Sequence, residues 1–299
     1  MGGPMTIAFL GLGNMGGPMA ANLVKSGETV HGYDPAATAR SEGVARFDSA
    51  IAAVAAADVV ITMLPSGKHV LDCYREILPS ARPGTLFVDC STIDVADARQ
   101  AAELVTAAGH RAVDAPVSGG VVGAEAGTLT FMVGGATEAF AAVEPFLAVL
   151  GARAIHCGAS GAGQAAKICN NMILGVSMIA ISEAFALGEE LGLTHQALFD
   201  VASTASGQCW ALTTNCPVPG PVPASPANRE YSGGFASGLM LKDLRLAESA
   251  ARDNDVATLL GTRAAELYAA FVERDGPGRD FSAIITAVRD GLLTKEPTA

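Results

Sequence analysis

Short apolar runs alternate with amphipathic stretches through the first half of the chain. Residues 6–10 form an apolar run that ends in glycine, a strand signal. Residues 15–25 then read as a helix stopped by Gly27, and 29–33 as a second strand. Further strand-like runs fall at 59–64, halted by Pro65, and at 86–90, 111–115 and 129–133. Helical patterns at 50–57, 70–78, 95–108 and 137–150 separate most of them. Strand and helix in alternation predict an α/β domain with a doubly wound, mostly parallel sheet.

The pattern changes after residue 158. Residues 161–191 read as one helix of small and apolar side chains, about 45 Å long at 1.5 Å per residue. Helices are expected at 194–204, 239–254, 257–274 and 282–291, and no strand is. The expected organisation is therefore an α/β domain over 1–160, then an all-helical substrate and oligomerisation domain over 161–299, begun by the long interdomain helix. The one irregular stretch, 216–234, is rich in Pro and Gly. A loop of that length in a compact domain is usually functional or covered by a partner.

The net charge of −11 argues against a nucleic-acid partner, because a polyanion would be repelled. An anionic substrate would need a local cation or a cluster of N–H groups, which makes any lysine inside a motif informative. Half the residues are hydrophobic, ample for a large core, and the mean hydropathy of +0.35 raises the question of a membrane. The most apolar segment, 168–182, has 15 residues and contains Asn170 and Asn171. It falls short of the roughly 20 needed to span a bilayer, so a buried helix is expected and no membrane partner. The six cysteines show no CxxC spacing and no Cys/His cluster, so reduced thiols and no metal are expected. Residues 1–6 formally fit a myristoylation pattern, discounted because Thr6 begins a strand. With no signal-like segment, the expected location is cytoplasmic.

Gly11-Leu12-Gly13-Asn14-Met15-Gly16 matches GxGxxG, with a strand before it and a helix after it. Asp34 follows the first glycine by 23 residues, at the end of the second strand. This is the arrangement of a Rossmann-type dinucleotide site. The helix N-terminus offers N–H groups and its positive dipole end to the pyrophosphate. A carboxylate at Asp34 accepts from ribose hydroxyls and repels a 2′-phosphate, and Pro35, Ala36 and Ala37 supply no adjacent arginine. The expected cofactor is NAD rather than NADP.

Longer motifs carry a resemblance. FLGLGNMGGPMAANL (residues 9–23), Asp114-Ala115-Pro116-Val117-Ser118-Gly119-Gly120 with the following AGTLTFMVGG, and Gly161-Ala162-Gly163-Gln164-Ala165-Ala166-Lys167-Ile168-Cys169-Asn170-Asn171 resemble the β-hydroxyacid dehydrogenase family. Gly207-Gln208-Cys209-Trp210, Pro217-Val218-Pro219-Gly220, Gly233-Gly234-Phe235 and Leu239-Met240-Leu241-Lys242-Asp243-Leu244 resemble its 3-hydroxyisobutyrate dehydrogenase branch. The likeness runs almost end to end. Arg245 stands where glycine is common, Asn215-Cys216 replaces a frequent Tyr-Asn, and 221–230 matches less well.

Oxidising an alcohol needs a hydride acceptor and a base for the hydroxyl proton. His31, His69, His110, His156 and His195 sit in no dehydrogenase-like context. Lys167 lies in the first turns of the long helix, with Asn171 four residues on, so both project from one face. The resemblance implies that Lys167 transfers the proton while Asn171 holds the substrate. A free lysine titrates near 10.4, so a base working near pH 8 needs roughly 3.3 kcal/mol of help. A helix N-terminus supplies about 0.3–1 kcal/mol, so Lys167 must be substantially buried.

The resemblance further implies that Ser118, Gly119 and Gly120 receive the substrate carboxylate. Leu64, Pro65 and Thr92, just past their strands, would flank NAD, and Lys242 would close over cofactor and substrate. Trp210 and Phe235 are candidates to wall the pocket or to pack in the core. The implied reaction is oxidation of (S)-3-hydroxyisobutyrate to methylmalonate semialdehyde, a step of valine breakdown, by a homodimer or homotetramer. The alternatives are another 3-hydroxy acid, such as serine or glycerate (the product of tartronate semialdehyde reduction), a cyclic-imine reductase, against which Lys167 argues because it is replaced in such relatives, or a non-catalytic NAD sensor.

Overall fold

The computed structural model describes residues 5–36 and 41–291. The myristoylation-like residues 1–4, and Ala37 beside the cofactor-selecting carboxylate, lie outside them. The chain divides into two compact units, Met1–Lys167 and Ile168–Ala299.

The first unit is built on nine described strands: β1 (Thr6–Leu10), β2 (Thr29–Tyr33), β3 (Ala45–Arg46), β4 (Val59–Thr62), β5 (Leu86–Asp89), β6 (Arg111–Asp114), β7 (Val117–Ser118), β8 (Leu129–Gly135) and β9 (Gly151–Gly158). Between them run α1 (Gly16–Lys25), α2 (Ala50–Val54), α3 (Gly67–Ile77), α4 (Val95–Ala107), α5 (Gly120–Ala126) and α6 (Thr137–Leu150). The spatial order is β3-β2-β1-β4-β5-β6-β8-β7, with β9 paired to β8. The strands from β3 to β6 are parallel; β8 is antiparallel to β6 and β7, and β9 runs parallel to β8.

Burial on both faces explains the uninterrupted apolar runs. Ile7, Phe9, Val59, Ile61, Leu86 and Val88 pack in one core layer, with Met19 and Leu23 of α1 and Val143 and Leu147 of α6. Their strand neighbours Ala8, Leu10, Val60 and Phe87 pack in the other, with Val54 of α2, Val70 and Tyr74 of α3 and Val105 of α4. One sheet thus feeds two cores by the period of two that strands impose.

β3, β7, β9 and α5 differ from the expected pattern. β3 and β7 have two residues each, too few to show a period. β9 is an edge strand whose residues are exposed or half-buried, so it lacks an apolar run. α5 begins at Gly120, directly after Gly119, and both glycines read as loop. Strands expected to reach Leu64, Cys90 and Ala115 stop at Thr62, Asp89 and Asp114, because the next residues turn toward the sheet's C-terminal edge.

The second unit takes up α7 (Ala162–Glu190) from Ile168 onward and adds α8 (His195–Ala202), α9 (Trp210–Thr213), α10 (Ser237–Asp253), α11 (Leu259–Asp275) and α12 (Ile284–Arg289). By length and composition the 29-residue α7 suffices to cross a bilayer, a correction to the 15-residue count. Within this unit it supplies Met178 and Phe185 to a buried cluster with Met240 and Leu244 of α10, Tyr268 and Phe271 of α11, and Ile284 of α12. The Pro- and Gly-rich stretch is pinned from beneath by Asp280. That buried carboxylate accepts from Asn215 Nδ2 (3.0 Å), Phe235 N (2.7 Å), Ser282 N (3.0 Å) and Ser282 Oγ (2.6 Å). Glu230 and Tyr231, side by side there, both hold left-handed φ of 53° and 60°.

Candidate active site

The glycine loop leaves β1 and enters α1. Its first residue is tied to the sheet, Gly11 N donating to Tyr33 O at 2.9 Å. A Cβ on Gly16 would overlap the Gly11 carbonyl and crowd Phe9, so only glycine lets helix and loop meet there. A Cβ on Gly13 would meet nothing within 4 Å, and Gly13 and Asn14 are exposed, with Met15 half-buried behind them. The loop is thus closed on its sheet side and open on its outer side, as a pyrophosphate-binding turn requires. A cleft of about 680 Å³ extends from it, lined by Leu12, Gly13, Asn14, Asp34, Ser41 and Glu125 among others.

Asp34 is more occupied than a ribose ligand alone. Its Oδ2 accepts from Leu12 N at 2.7 Å and its Oδ1 from Ala36 N at 2.8 Å. It fixes the loop and its own turn, and each oxygen keeps a further lone pair for a ribose hydroxyl. The residues right after Asp34 bring no arginine, but β3 does. Arg46 Nη2 donates to Asp34 O (2.8 Å) and Ala36 O (2.7 Å), a cation beside the turn that sequence proximity could not reveal.

At the C-terminal edge of the sheet, Thr62, Asp89 and Asp114 stand in register on β4, β5 and β6. Asp89 Oδ1 accepts from Thr62 Oγ1 (2.8 Å), Ser91 Oγ (2.6 Å) and Ser91 N (3.2 Å). Ser91 Oγ accepts from Leu64 N at 2.8 Å, so the Leu64-Pro65 turn and the Ser91-Thr92 turn share one anchor. Burial lifts the Asp89 carboxyl to about 6, against the acceptor bonds from Ser91 and Thr62 and with the negative charge of Asp114 adding to the rise.

Asp114 opens the Asp-Ala-Pro-Val-Ser-Gly-Gly run and caps α7. Its Oδ1 accepts from Gly161 N (2.7 Å) and its Oδ2 from Gln164 N (2.9 Å). Burial raises its carboxyl as well, opposed by those backbone donors. Gln164 is fully buried; its Nε2 donates to Ser91 O (2.7 Å) and its Oε1 accepts from Ile93 N (3.2 Å), which brackets Thr92. Lys167 follows three residues later and is 6% exposed, so it meets the burial that its chemistry demands. Ser118 lies on β7, half-buried; Gly119 is exposed with φ of 133°, and Gly120 starts α5 with φ of 61°.

In the helical unit, Asn171 is buried and its Nδ2 donates to Asp243 Oδ2 at 2.5 Å. Lys242, half-buried, precedes that carboxylate on α10. Trp210 is 53% exposed at the start of α9, while Phe235 packs edge-on against Phe281. The histidines have ordinary structural contacts; His156 Nε2, for example, lies 2.8 Å from Gly135 O and its ring stacks on Phe140. All six cysteines are free, and the described residues hold no group of three or more potential metal ligands.

A dinucleotide cradle at one edge of a parallel-dominant sheet, followed by a buried lysine on a capped helix, defines an NAD-dependent oxidoreductase. Residues 6–158 match the NAD binding domain of 6-phosphogluconate dehydrogenase, and residues 161–288 match the NAD-binding domain of NADP-dependent 3-hydroxyisobutyrate dehydrogenase. The chain is 56% identical over 288 residues to a probable 3-hydroxyisobutyrate dehydrogenase of Mycobacterium tuberculosis (95% of this chain, 98% of the relative). It is 44% identical to an NAD-dependent L-serine dehydrogenase of Pseudomonas aeruginosa (93% and 96%). A solved structure of the Mycobacterium tuberculosis 3-hydroxyisobutyrate dehydrogenase with L-serine superposes with a TM-score of 0.93 at 56% identity (96% of this chain, 99% of that one). The chain belongs to the 3-hydroxyisobutyrate dehydrogenases of the β-hydroxyacid dehydrogenase family.

Of the residues singled out in the sequence, the first unit brings Gly11–Gly16, Asp34, Leu64, Pro65, Thr92, Ser118–Gly120 and Lys167 to the C-terminal edge of its sheet or the elements that follow from it. Asn171 and Lys242 belong to the helical unit. Asp89, Gln164, Arg46 and Asp243 were missed as site-building residues. The available signal was that the second, fifth and sixth strands each end at or just before an aspartate, a costly residue to bury without a task.

Proposed function

We propose that the chain oxidises (S)-3-hydroxyisobutyrate to methylmalonate semialdehyde in valine breakdown, with NAD as acceptor and Lys167 as the proton-transfer residue. The observation that carries this reading is the burial of Lys167 in a helix whose first turn is held by Asp114, the residue that opens the Ser118–Gly120 loop. NAD, held at Gly11–Gly16 and Asp34, supplies the hydride acceptor. Neutral Lys167 Nζ takes the substrate hydroxyl proton as the C–O bond becomes a carbonyl. The Ser118 hydroxyl and the N–H groups at Gly119 and Gly120 receive the carboxylate, and Asn171, fixed by Asp243, orients the substrate. Leu64, Pro65 and Thr92 flank the cofactor, and Lys242 adds positive charge for the anionic substrate. The Asp34 carboxylate supports NAD over NADP.

L-Serine is the second reading, favoured by the 44% identity to an NAD-dependent L-serine dehydrogenase and by the L-serine in the similar solved structure. Initial rates of NAD reduction with 3-hydroxyisobutyrate, L-serine and glycerate decide between them. The highest kcat/KM for 3-hydroxyisobutyrate is expected; a higher value for serine or glycerate overturns the primary assignment.

The reading includes a cytoplasmic homo-oligomer. Exposed Leu187, Leu191, Val201, Leu259 and Leu260 on the helical unit support association, and six unpaired thiols suit a reducing compartment. Light scattering at micromolar concentration should show a dimer or tetramer, and a monomer contradicts the oligomer. Fractionation of the producing cells with an antibody to the chain tests the location.

A further inference from the structure

Asp89 is buried at the end of a central strand, and the reaction outlined above gives it no part. One of its oxygens takes three donors, from Thr62 and twice from Ser91; the other is buried without a partner. A buried half-satisfied carboxylate costs stability, so its presence at a site calls for a function. The bonds trace what it does. Through Ser91 Oγ it fixes Leu64 N, and through the Ser91 carbonyl it meets Gln164 of the first turn of α7. Gln164 returns to Ile93 N on the far side of Thr92.

We propose that Asp89 is a positioning residue of this dehydrogenase, a single buried acceptor that sets the Leu64-Pro65 and Thr92 turns against the cofactor and registers them with the helix that presents Lys167. The proposal rests on the assignment of the NAD cradle and of Lys167. Charge strengthens the device, since an ionised acceptor makes shorter and stronger hydrogen bonds than a neutral one. The proton enters at the unpartnered oxygen, so protonation loosens the bonds to Thr62 and Ser91 without removing them. Titratable groups that act on Asp89 or feel its charge include Cys73 and Tyr74 of α3, Cys90 beside it and Asp114 of β6. None of these carries positive charge that would pull its carboxyl down. Its titration near pH 6 therefore falls within the range where the enzyme can be assayed.

The test is equilibrium binding of NADH, read by cofactor fluorescence from pH 5.5 to 8, on the full-length protein. For the parent, the dissociation constant should rise several-fold as the pH falls through about 6. Asp89→Asn should bind about tenfold more weakly at pH 8 and show no inflection. Ser91→Ala cuts the link to Leu64 N but keeps the carboxylate; it should weaken binding comparably and retain the inflection. Gln164→Met removes both bonds that tie the Thr92 turn to α7, and should lower kcat about tenfold and weaken NADH binding several-fold. Parent-like affinity in Ser91→Ala, or a parent-like inflection in Asp89→Asn, overturns the proposal, and Ser91→Ala carries the test if Asp89→Asn does not fold. Binding needs no substrate. If none of the 3-hydroxy acids is oxidised by the parent, the substrate reading fails while the NADH profiles still decide the role of Asp89.

Discussion

Asp114 accepts the N–H of Gln164 across 2.9 Å, so the first residue of the substrate-loop signature also closes the first turn of the helix that carries Lys167. Two sequence motifs 47 residues apart meet in one carboxylate. Asp114→Asn keeps one acceptor and turns the other into a donor facing an N–H. We expect a loss of about 1.5–3 kcal/mol in urea unfolding and a lower kcat. Unchanged stability would mean that the cap is dispensable.

Lys167→Ala should fold, bind NADH as the parent does, and lose 10²- to 10⁴-fold in kcat, the usual contribution of a positioned acid–base group. Near-normal turnover would remove Lys167 from the reaction.

Asp34→Ala frees Leu12 N and Ala36 N and removes the ribose acceptor. Its kcat/KM for NAD should fall by about 10- to 100-fold, the equivalent of a charge-assisted hydrogen bond. The value for NADP should fall less, because repulsion of the 2′-phosphate is gone and Arg46 lies beside the turn. Equal losses for the two cofactors would separate Asp34 from cofactor choice.

Asp89 links stability to pH with a definite sign. Its carboxyl is raised in the folded protein from 3.8 to about 6. The folded state therefore holds the proton more tightly than the unfolded one. That stabilising contribution is complete below the lower value and is lost as pH rises through about 6, an effect of about 3 kcal/mol. Asp89→Asn lacks the titration. Its stability relative to the parent should improve by roughly that amount between pH 4 and pH 7. A stability difference independent of pH would place the proton elsewhere.

Glu230 is exposed and caps a short 3₁₀ turn with φ of 53° and ψ of 33°. Glycine adopts this conformation without the steric cost of a Cβ. Glu230→Gly should raise the urea midpoint, with a gain of about 0.5–1 kcal/mol. A clear loss would mean that the Glu230 side chain has a stabilising partner in solution.

The layered α/β unit and the helical unit were legible because their signals are periodic. Residues such as Ile7 and Phe9, alternating with Ala8 and Leu10, serve both faces of a buried sheet and must all be apolar. The glycine loop was legible because Gly16 tolerates no Cβ. The edge was not. β9 carries Arg153 and His156 in an exposed strand, and a two-residue strand such as β7 exists only through its partner Phe131 and Thr130. The positioning network was invisible for another reason. Thr62, Ser91 and Gln164 are common polar residues, and only the register of β4, β5 and β6 and the start of α7 bring them to Asp89 and Asp114.

The sharing of Asp114 between a loop and a helix cap also bears on how this scaffold can be recombined. A graft that replaces the 114–120 loop with one from a distant relative would also replace the anchor of α7. The donor helix start at 161–164 would have to travel with it, so the two segments form one heritable cassette despite the β-strands that separate them in the chain.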